Sequence, residues 1–283
     1  RTRNSVPADA SGKREFADMK RIVVCVKPVP DPKEWHKLSL NPVTKTLVRE
    51  GIASVINPLD RHALEAALAL KDATGAEVVL VSMAPPGART LLMEALAMGA
   101  DRACLLSDRA FAGSDSLATA RILAAGVRRI GPFDVVLCGN STLDGSTAQV
   151  PSQVAEFLGI PNVMHVEFLE CDPAGSLRLV QAIEHGKVHL EAEPPILLSV
   201  TKQVNKPRFC SFLELLKAEK KDIAVWTNAD LALDGSQIGL AGSPTAMADL
   251  FVRQKRRSGT RVTGEPEIVV QALLNKLHQL GTI

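Results

Sequence analysis

The sequence lacks any apolar run approaching the ~20 residues that a membrane-spanning helix needs, so no membrane insertion is predicted. It also lacks an excess of either charge: 33 lysine and arginine residues stand against 31 aspartate and glutamate residues, a formal net charge of +2. Because the chain is nearly neutral, its net charge does not indicate that it binds nucleic acid or an anionic membrane. The remaining composition, 46% hydrophobic and 23% charged over 283 residues, is typical of a globular domain.

Paired cysteines and clustered metal ligands are missing as well. The five cysteines stand singly, with no Cys-x-x-Cys pair, and an odd number of scattered thiols favours a reducing compartment. Of the six histidines only His185 and His189 lie four residues apart, in a segment predicted to be β-ribbon. A ribbon lacks the helical geometry of such a metal-binding pair, so no metal site is predicted.

Several enzyme motifs are absent. The sequence has neither the Gly-x-Gly-x-x-Gly fingerprint of dinucleotide-binding domains nor the Gly-x-x-x-x-Gly-Lys-Ser/Thr loop of nucleoside triphosphatases. No Ser-His-Asp or Cys-His set can be discerned. Catalysis by a nucleophile of the chain itself is therefore not predicted.

Short apolar runs alternate with amphipathic stretches from Met19 onward. The runs are nearly continuous and rich in β-branched residues, which is typical of parallel strands buried on both faces. Strands are predicted at Arg21–Lys27, Glu77–Met83, Ala103–Leu106 and Phe133–Cys138. Helices are predicted at Arg61–Lys71, Leu91–Met98, Ser116–Ile130 and Thr147–Leu158. Such alternation predicts an α/β fold, a parallel doubly wound sheet with right-handed crossovers.

The rhythm changes after Pro161. Alternating polar and apolar residues predict a β-ribbon insertion, followed by one more buried strand at Ile196–Val200. The ribbon strands are predicted at Val163–Leu169, Ser176–Ile183 and Lys187–Glu193. The sequence thus predicts an antiparallel extension on an otherwise parallel sheet.

The chain is expected to divide into three parts. Residues 1–18 contain no apolar segment suited to a secretory signal and are expected to be a disordered extension or an expression remnant. Residues 19–204 are predicted to form the α/β domain. Residues 205–283 are polar and irregular, with helices at Phe212–Lys217 and Pro266–Leu280, and are predicted to be a partner-binding arm with a C-terminal helix.

The segment most suggestive of ligand binding is Gly139–Val150, which joins the fourth strand to the following helix. It lies at the carboxyl end of a parallel strand, where open α/β folds bind ligands. Ser146 and Gln149 have the spacing of a capping box, and free amides at a helix start form an anion site. Pro151 implies that this helix starts late or that its first turn is irregular. On its own the pattern fits a ligand site or a plain strand–loop–helix connection.

Four segments, taken in order, resemble the electron-transfer flavoprotein β family. They are VVCVKPVPD at Val23–Asp31, INPLDRHALEAALALKD at Ile56–Asp72, LCGNSTLDGSTAQVPSQVAEFLGIP at Leu137–Pro161 and NKPRFCSFLELLKAEKK at Asn205–Lys221. The similarity runs from about Met19 to the C-terminus. It implies a fold of the adenine-nucleotide-α-hydrolase-like type and a heterodimer with an α subunit that binds FAD. The β subunit itself would bind AMP or, in electron-bifurcating members, a second FAD.

The resemblance implies one set of cofactor-binding residues, all at carboxyl ends of strands or at helix starts. They are Cys25, Asn57, Pro58, Leu59, Asp60, Met83, Gly139, Asp144, Gly145, Ser146, Thr147, Ala148, Gln149 and Val150. Asn57 and Pro58 also suit the N-cap and first position of a helix. The sequence departs from the family at Asn140-Ser141, where many members have Lys-Gln, and at Ser146, where many have Asp.

The choice between FAD and AMP turns on Gly145. Members of the AMP type have three acidic residues where this chain has Asp144-Gly145-Ser146, whereas bifurcating members resemble Asp-Gly-Asp-Thr-Ala-Gln. Leu47–Gly51 and Gly239–Thr245 also resemble the bifurcating group. Membership of that group implies FAD as cofactor and NADH as electron donor. Two alternatives stay open: a non-bifurcating subunit with structural AMP, and an adenylating enzyme of the same fold superfamily.

The resemblance also implies partners for the arm. Phe212 occupies the position whose apolar side chain anchors an FAD-dependent dehydrogenase, of the acyl-CoA or hydroxy-acid type; its alternative is packing inside the heterodimer. Lys217–Lys221 fits a solvated face better than a docking patch. Ferredoxin or flavodoxin would be the low-potential acceptor. The chain is expected to act only within this NADH-linked complex, in the cytoplasm of a bacterium or archaeon rather than in the mitochondrial matrix.

Overall fold

The structure, a computed structural model, describes residues 19–37, 39–40, 47–48, 51–246, 259 and 261–282. They belong to two compact units, Arg1–Ala248 and Asp249–Ile283. The expectation for residues 1–18, and most of the Leu47–Gly51 segment, lie outside the described residues.

The first unit is built on one large sheet. The strands described are β1 (Arg21–Cys25), β2 (Pro28–Pro30), β3 (Ser39–Leu40), β4 (Leu47–Val48), β5 (Ser54–Ile56), β6 (Glu77–Met83), β7 (Arg102–Leu106), β8 (Val135–Gly139), β9 (Asn162–Cys171), β10 (Leu177–Ile183), β11 (Gly186–Ala192), β12 (Ile196–Val200) and β13 (Ile223–Trp226). Nine of them form the sheet, in the order β11-β10-β9-β12-β8-β1-β6-β7-β13. Neighbours from β9 to β13 in that order are parallel, whereas β9, β10 and β11 pair antiparallel. The predicted fold class, a parallel sheet with a ribbon insertion, is confirmed.

Helices cover both faces of the sheet. In the first unit the helices are α1 (Pro58–Thr74), α2 (Arg89–Met98), α3 (Ser116–Ile130), α4 (Val150–Leu158), α5 (Phe212–Ala218) and α6 (Asn228–Leu231). Val24 of β1 belongs to the core on the side of α1 and α2, and its neighbour Val23 to the core on the side of α3 and α4. Because successive side chains of a strand point to opposite faces, a sheet covered on both sides needs continuous apolar runs.

Strand β13 was not predicted, since residues 205–283 were expected to be polar and irregular, with helices but no strand. Ile223 pairs with Ala103 and Trp226 with Leu106, so β13 extends the sheet at its β7 edge. The run is only four residues long, and its partner strand lies more than a hundred positions away in the chain. The periodicity of apolar residues within a short segment does not indicate which distant strand the segment pairs with. In the second unit, α7 (Pro266–Gln279) matches the predicted Pro266–Leu280 helix, with Pro266 at its first position.

Candidate functional site

The candidate site lies where the chain direction across the sheet reverses. From β1 the chain proceeds through β6 and β7 in one direction, and later through β8 and β12 in the other. The carboxyl ends of β1 and β8 are therefore adjacent at a topological switch point, the place where open α/β sheets bind ligands. Cys25 ends β1 and Gly139 ends β8, so the structure brings these two predicted site residues together.

Asp60, in the first turn of α1, joins the ends of both strands. Its Oδ2 accepts a hydrogen bond from the backbone N–H of Lys27 at 2.7 Å, and its Oδ1 accepts one from the N–H of Gly139 at 3.1 Å. The Asn57 amide also donates to Oδ1, at 3.0 Å. One buried carboxylate thus fixes two strand ends and the start of a helix.

Asn57 connects these elements to the loop after β8. We call the hydrogen-bonded residues Asn57 and Asp60, which hold the strand ends and this loop, the Asn57–Asp60 clamp. The Nδ2 of Asn57 also donates to the carbonyl of Ser141 at 2.9 Å, and its Oδ1 accepts from the N–H of Leu143 at 3.3 Å. Asn57 stands at the predicted N-cap position of α1, but its side chain makes no capping hydrogen bond. Its hydrogen-bonding groups are instead used by the 141–143 backbone, a long-range contact that overrides the local preference.

Gly139 is required by close packing of α1 against β8. A Cβ at this position would collide with Asp60 Oδ1 and lie 2.8 Å from the Cβ of Leu59. Leu59 therefore forms the wall behind the strand end, next to Pro58 at the first position of α1. Met83 ends β6, the neighbour of β1, and so lies at the same edge of the sheet.

Burial raises the pKa of Asp60 to about 7, because the hydrogen bonds from Asn57, Lys27 and Gly139 offset only part of its lost hydration. The folded state then binds a proton that the unfolded state, with a carboxyl pKa near 3.8, has released. We expect the unfolding free energy of the wild type, relative to Asp60→Asn, to fall as pH rises from about 4 to about 7, by at most about 1.4 kcal/mol per pH unit. Chemical denaturation of both proteins across this range measures the difference. Parallel pH profiles would contradict the assignment.

Asp144 lies in the loop that α1 holds in place. Burial opposes its charge, but the ammonium group of Lys27, the Thr142 hydroxyl and the Gly145 N–H outweigh burial and hold the pKa of Asp144 below its usual value. The Lys27 Nζ to Asp144 Oδ1 distance is 2.7 Å. Gly145 follows, and a Cβ there would meet only Thr142 Oγ1, at 3.7 Å. The loop therefore presents open space at Gly145.

The predicted capping box of Ser146 and Gln149 is wrong. Ser146 has a left-handed backbone, with φ of 50°, and both its N–H and its hydroxyl donate to the carbonyl of Thr142. Ala148 is also left-handed, with φ of 54°, so the helix predicted from Thr147 cannot begin there. It begins at Val150, so of the two possibilities that Pro151 implied, the late start is the one observed. Gln149 is the residue before it, and its Oε1 accepts a hydrogen bond from the Ser116 hydroxyl.

No side chain caps the amino end of α4. The first turn of a helix has backbone N–H groups without intrahelical partners and carries a partial positive charge. Ser152, in that turn, donates its hydroxyl to the carbonyl of Gln149. The start of α4 thus lacks the predicted capping residues, and the expectation that it binds an anion stays a prediction.

Two thiols lie beneath this edge of the sheet. Val24 is in register with Leu137, so the next residues, Cys25 and Cys138, are neighbours on adjacent strands. A hydrogen bond with Cys25, together with burial, raises the pKa of Cys138 well above its usual value. Both thiols are buried, and they contribute an apolar surface beneath the strand ends.

Lys27 contacts Asp60 and Asp144 but was not among the predicted site residues. It is the second residue after the last residue of β1, and its side chain reaches the loop after β8. Its position just beyond a buried strand was the available signal, but the ion pair spans more than a hundred positions. Asn140 lies nearby, where its Oδ1 accepts from the Ser199 hydroxyl of β12.

Phe212 lies apart from these residues, at the start of α5. Its side chain is 73% exposed, and that of nearby Phe209 is 88% exposed. Ser211 and Glu214 form a capping box at the amino end of α5, while Ala218 at the other end is buried. The helix is therefore well formed and presents an aromatic side chain to solvent.

The arm that bears Phe212 is fixed at both ends. Before it, Arg208 contacts both carboxylate oxygens of Glu65 through Nε and Nη2, at 2.9 and 3.0 Å, and donates to Asp72 at 2.8 Å. After it, Lys221 donates to the carbonyls of Leu96 and Ala100 at the end of α2. Lys221 is therefore not part of the solvated face expected for Lys217–Lys221, because its ammonium group satisfies carbonyls at a helix end.

Within the residues described, no group of three His, Cys, Asp or Glu side chains is arranged to hold a metal ion. Over the same residues, no helix combines the length and the apolar character that crossing a membrane requires.

Residues 44–231 match the family described as electron transfer flavoprotein domain. The chain is 45% identical over 248 residues to the electron transfer flavoprotein subunit beta of Clostridium acetobutylicum, covering 88% of this chain and 91% of that protein. It is 40% identical over 261 residues to the caffeyl-CoA reductase-Etf complex subunit CarD of Acetobacterium woodii, covering 92% and 98%. It is 38% identical over 271 residues to the acryloyl-CoA reductase electron transfer subunit gamma of Anaerotignum propionicum, covering 93% and 100%.

Proposed function

Because this chain belongs to the electron transfer flavoprotein β-subunit family, we propose that it binds FAD at the switch point between β1 and β8 and passes electrons from NADH by flavin-based bifurcation. The observation that carries the proposal is the clamp of Asn57 and Asp60. It holds the 141–143 loop beside the carboxyl ends of β1 and β8.

The donor set at this edge fits a diphosphate. The amino end of α4 has no side-chain cap, and Thr147 precedes it in a loop rich in hydroxyl groups. Gly145 leaves space where a phosphate can approach the backbone, and Lys27 supplies a cation beside the loop. The cofactor-binding set proposed here is the one implied by the family, with Lys27 added.

Each part of the chain has a distinct task. The Asn57–Asp60 clamp keeps the floor of the site in one conformation, so little ordering remains to be done when the cofactor binds. The loop and the start of α4 hold the diphosphate, which orients the rest of the cofactor. Bound there, the flavin would supply the hydride and single-electron chemistry, which no side chain of this chain provides.

The names of the relatives guide the choice of partners. Two are subunits of complexes named for caffeyl-CoA reductase and acryloyl-CoA reductase. We therefore propose an α subunit as the permanent partner and an FAD-dependent dehydrogenase of the acyl-CoA type as the electron acceptor, with the hydroxy-acid type as its alternative. Ferredoxin or flavodoxin would take the low-potential electron, and the complex would work in the cytoplasm.

A non-bifurcating subunit with structural AMP is the second candidate. AMP needs only the clamp and a single phosphate site, both of which the described residues also offer. An adenylating enzyme is less well supported, because Lys27 is followed by the short strand β2 (Pro28–Pro30) and not by a glycine-rich loop that grasps phosphates.

Cofactor content separates the candidates. The heterodimer, purified without added nucleotide, should contain about two FAD molecules, and NADH should bleach the flavin absorbance of the site in this subunit. Denaturation followed by chromatography of the released nucleotides gives the count. One FAD and one AMP per heterodimer would contradict bifurcation but not family membership, whereas one FAD without any second nucleotide would contradict the site.

A further inference from the structure

We propose that Lys27 is a phosphate-binding residue of the nucleotide site, and that Asp144 positions its ammonium group beside the loop. This inference rests on the proposed nucleotide site. It adds a residue that neither the loop pattern nor the family resemblance indicated.

The backbone of Lys27 is fixed at the switch point. Its N–H donates to Asp60 Oδ2 at 2.7 Å, and its carbonyl accepts from the N–H of Asn57 at 2.9 Å. Both partners are almost fully buried. The backbone from which the Lys27 side chain extends is therefore held in one position by the strand and by α1.

The side chain of Lys27 is partly exposed and pairs with Asp144. Its Nζ lies 2.7 Å from Asp144 Oδ1, while the side chain of Lys27 is 40% exposed against 14% for Asp144. An ammonium group has three donors and can keep a bond to a carboxylate while it donates to a phosphate oxygen. Binding therefore does not require the pair with Asp144 to break.

The charges of the loop explain why a cation is needed. Asp144 stays ionised at neutral pH, because the groups around it hold its pKa below the usual value. Its negative charge would repel a phosphate bound to the same loop, and the amino end of α4 contributes only about half a positive charge. Lys27 neutralises Asp144 and adds donors, so the loop can accept an anion.

The test compares AMP with adenosine. The full chain, in complex with its α subunit and freed of bound nucleotide by gel filtration in concentrated bromide, is titrated with each compound in a calorimeter. Lys27→Met should reduce the preference for AMP over adenosine by about tenfold or more and leave adenosine binding unchanged, because a charge-assisted hydrogen bond is lost. Lys27→Arg should keep most of the preference.

Two further variants serve as controls. Lys71 makes a similar ion pair, 2.6 Å from Asp101, but it lies near the opposite end of α1, so Lys71→Met should not change the preference. Asp144→Asn should lower the preference for AMP, but by less than Lys27→Met does, because Lys27 retains its charge and loses only the carboxylate that positions it. Nucleotide retained on gel filtration provides a second measurement for each variant.

The outcomes are distinguishable. If Lys27→Met keeps the wild-type preference for AMP, Lys27 does not bind phosphate. If Lys27→Met and Asp144→Asn weaken AMP and adenosine in parallel, Lys27 only holds the loop, and the inference is equally wrong. If the wild-type complex binds none of AMP, adenosine and FAD in this subunit, the proposed function fails, and with it this inference.

Discussion

Replacing Gly145 with aspartate should lower the FAD content of the heterodimer from about two molecules toward one, because a second carboxylate would stand beside the cofactor diphosphate. Unit charges about 4 Å apart repel by about 4 kcal/mol at the effective dielectric constant of a protein surface. We therefore expect the affinity of this site for FAD to fall by at least about a hundredfold.

The free protein should tolerate this change. A Cβ at Gly145 would meet only Thr142 Oγ1, at 3.7 Å, and Gly145 is not among the glycines with a left-handed backbone. A loss of FAD in Gly145→Asp would therefore reflect weaker binding of FAD and not unfolding of the protein. Gly139→Ala is the opposite case, since its Cβ would collide with Asp60 and should destabilise the protein itself.

Gly145→Asn is the matched control, because it adds the same bulk without the charge. It should retain clearly more FAD than Gly145→Asp, while thermal melting of the two variants should agree. Flavin content is measured by absorbance after denaturation. Full retention of FAD in Gly145→Asp would contradict the proposed position of the diphosphate beside Gly145.

The architecture could be predicted because strands buried on both faces of a sheet must be continuous apolar runs, which each segment shows in its own sequence. Strand β12 and helix α3 begin and end at the predicted residues, since an apolar run or an amphipathic period defines each within its own length. The location of the candidate site, which stays a prediction, followed from topology: once parallel strands are ordered, their carboxyl ends form one edge.

The details of the site could not be predicted, because they depend on contacts between distant segments. Ser146 and Ala148 take left-handed conformations that their side chains do not favour, whereas the spacing of Ser146 to Gln149 suggested a capping box. The side chain of Asn57 serves a loop more than eighty positions away rather than its own helix. Each is a case in which tertiary contacts override a local preference.

Phe212→Ala should weaken binding of the dehydrogenase to the heterodimer by about 2 kcal/mol, close to thirtyfold in Kd. The side chain is 73% exposed in this chain, on an arm that Arg208 and Lys221 hold at both ends. A fixed, exposed aromatic residue loses little conformational freedom when it enters a pocket of a partner, which is the behaviour of interface hot spots.

Phe209 provides the matched control. It lies three positions earlier on the same arm and is even more exposed, at 88%. If any exposed aromatic residue on the arm contributed equally, Phe209→Ala would weaken binding as much as Phe212→Ala. We expect a clearly smaller effect, because docking through one anchor requires one pocket, and the capping box of Ser211 and Glu214 fixes the backbone at Phe212.

The decisive comparison separates two electron-transfer steps. Stopped-flow reduction of the heterodimer by NADH should proceed at the wild-type rate in Phe212→Ala, because Phe212 is not among the residues that form the proposed flavin site. Electron delivery to the dehydrogenase should slow at subsaturating concentrations and recover as the dehydrogenase concentration is raised, since only its binding is weakened. If Phe212→Ala slows both steps together, Phe212 packs inside the heterodimer instead, because a change at a docking surface alone cannot reach the NADH step.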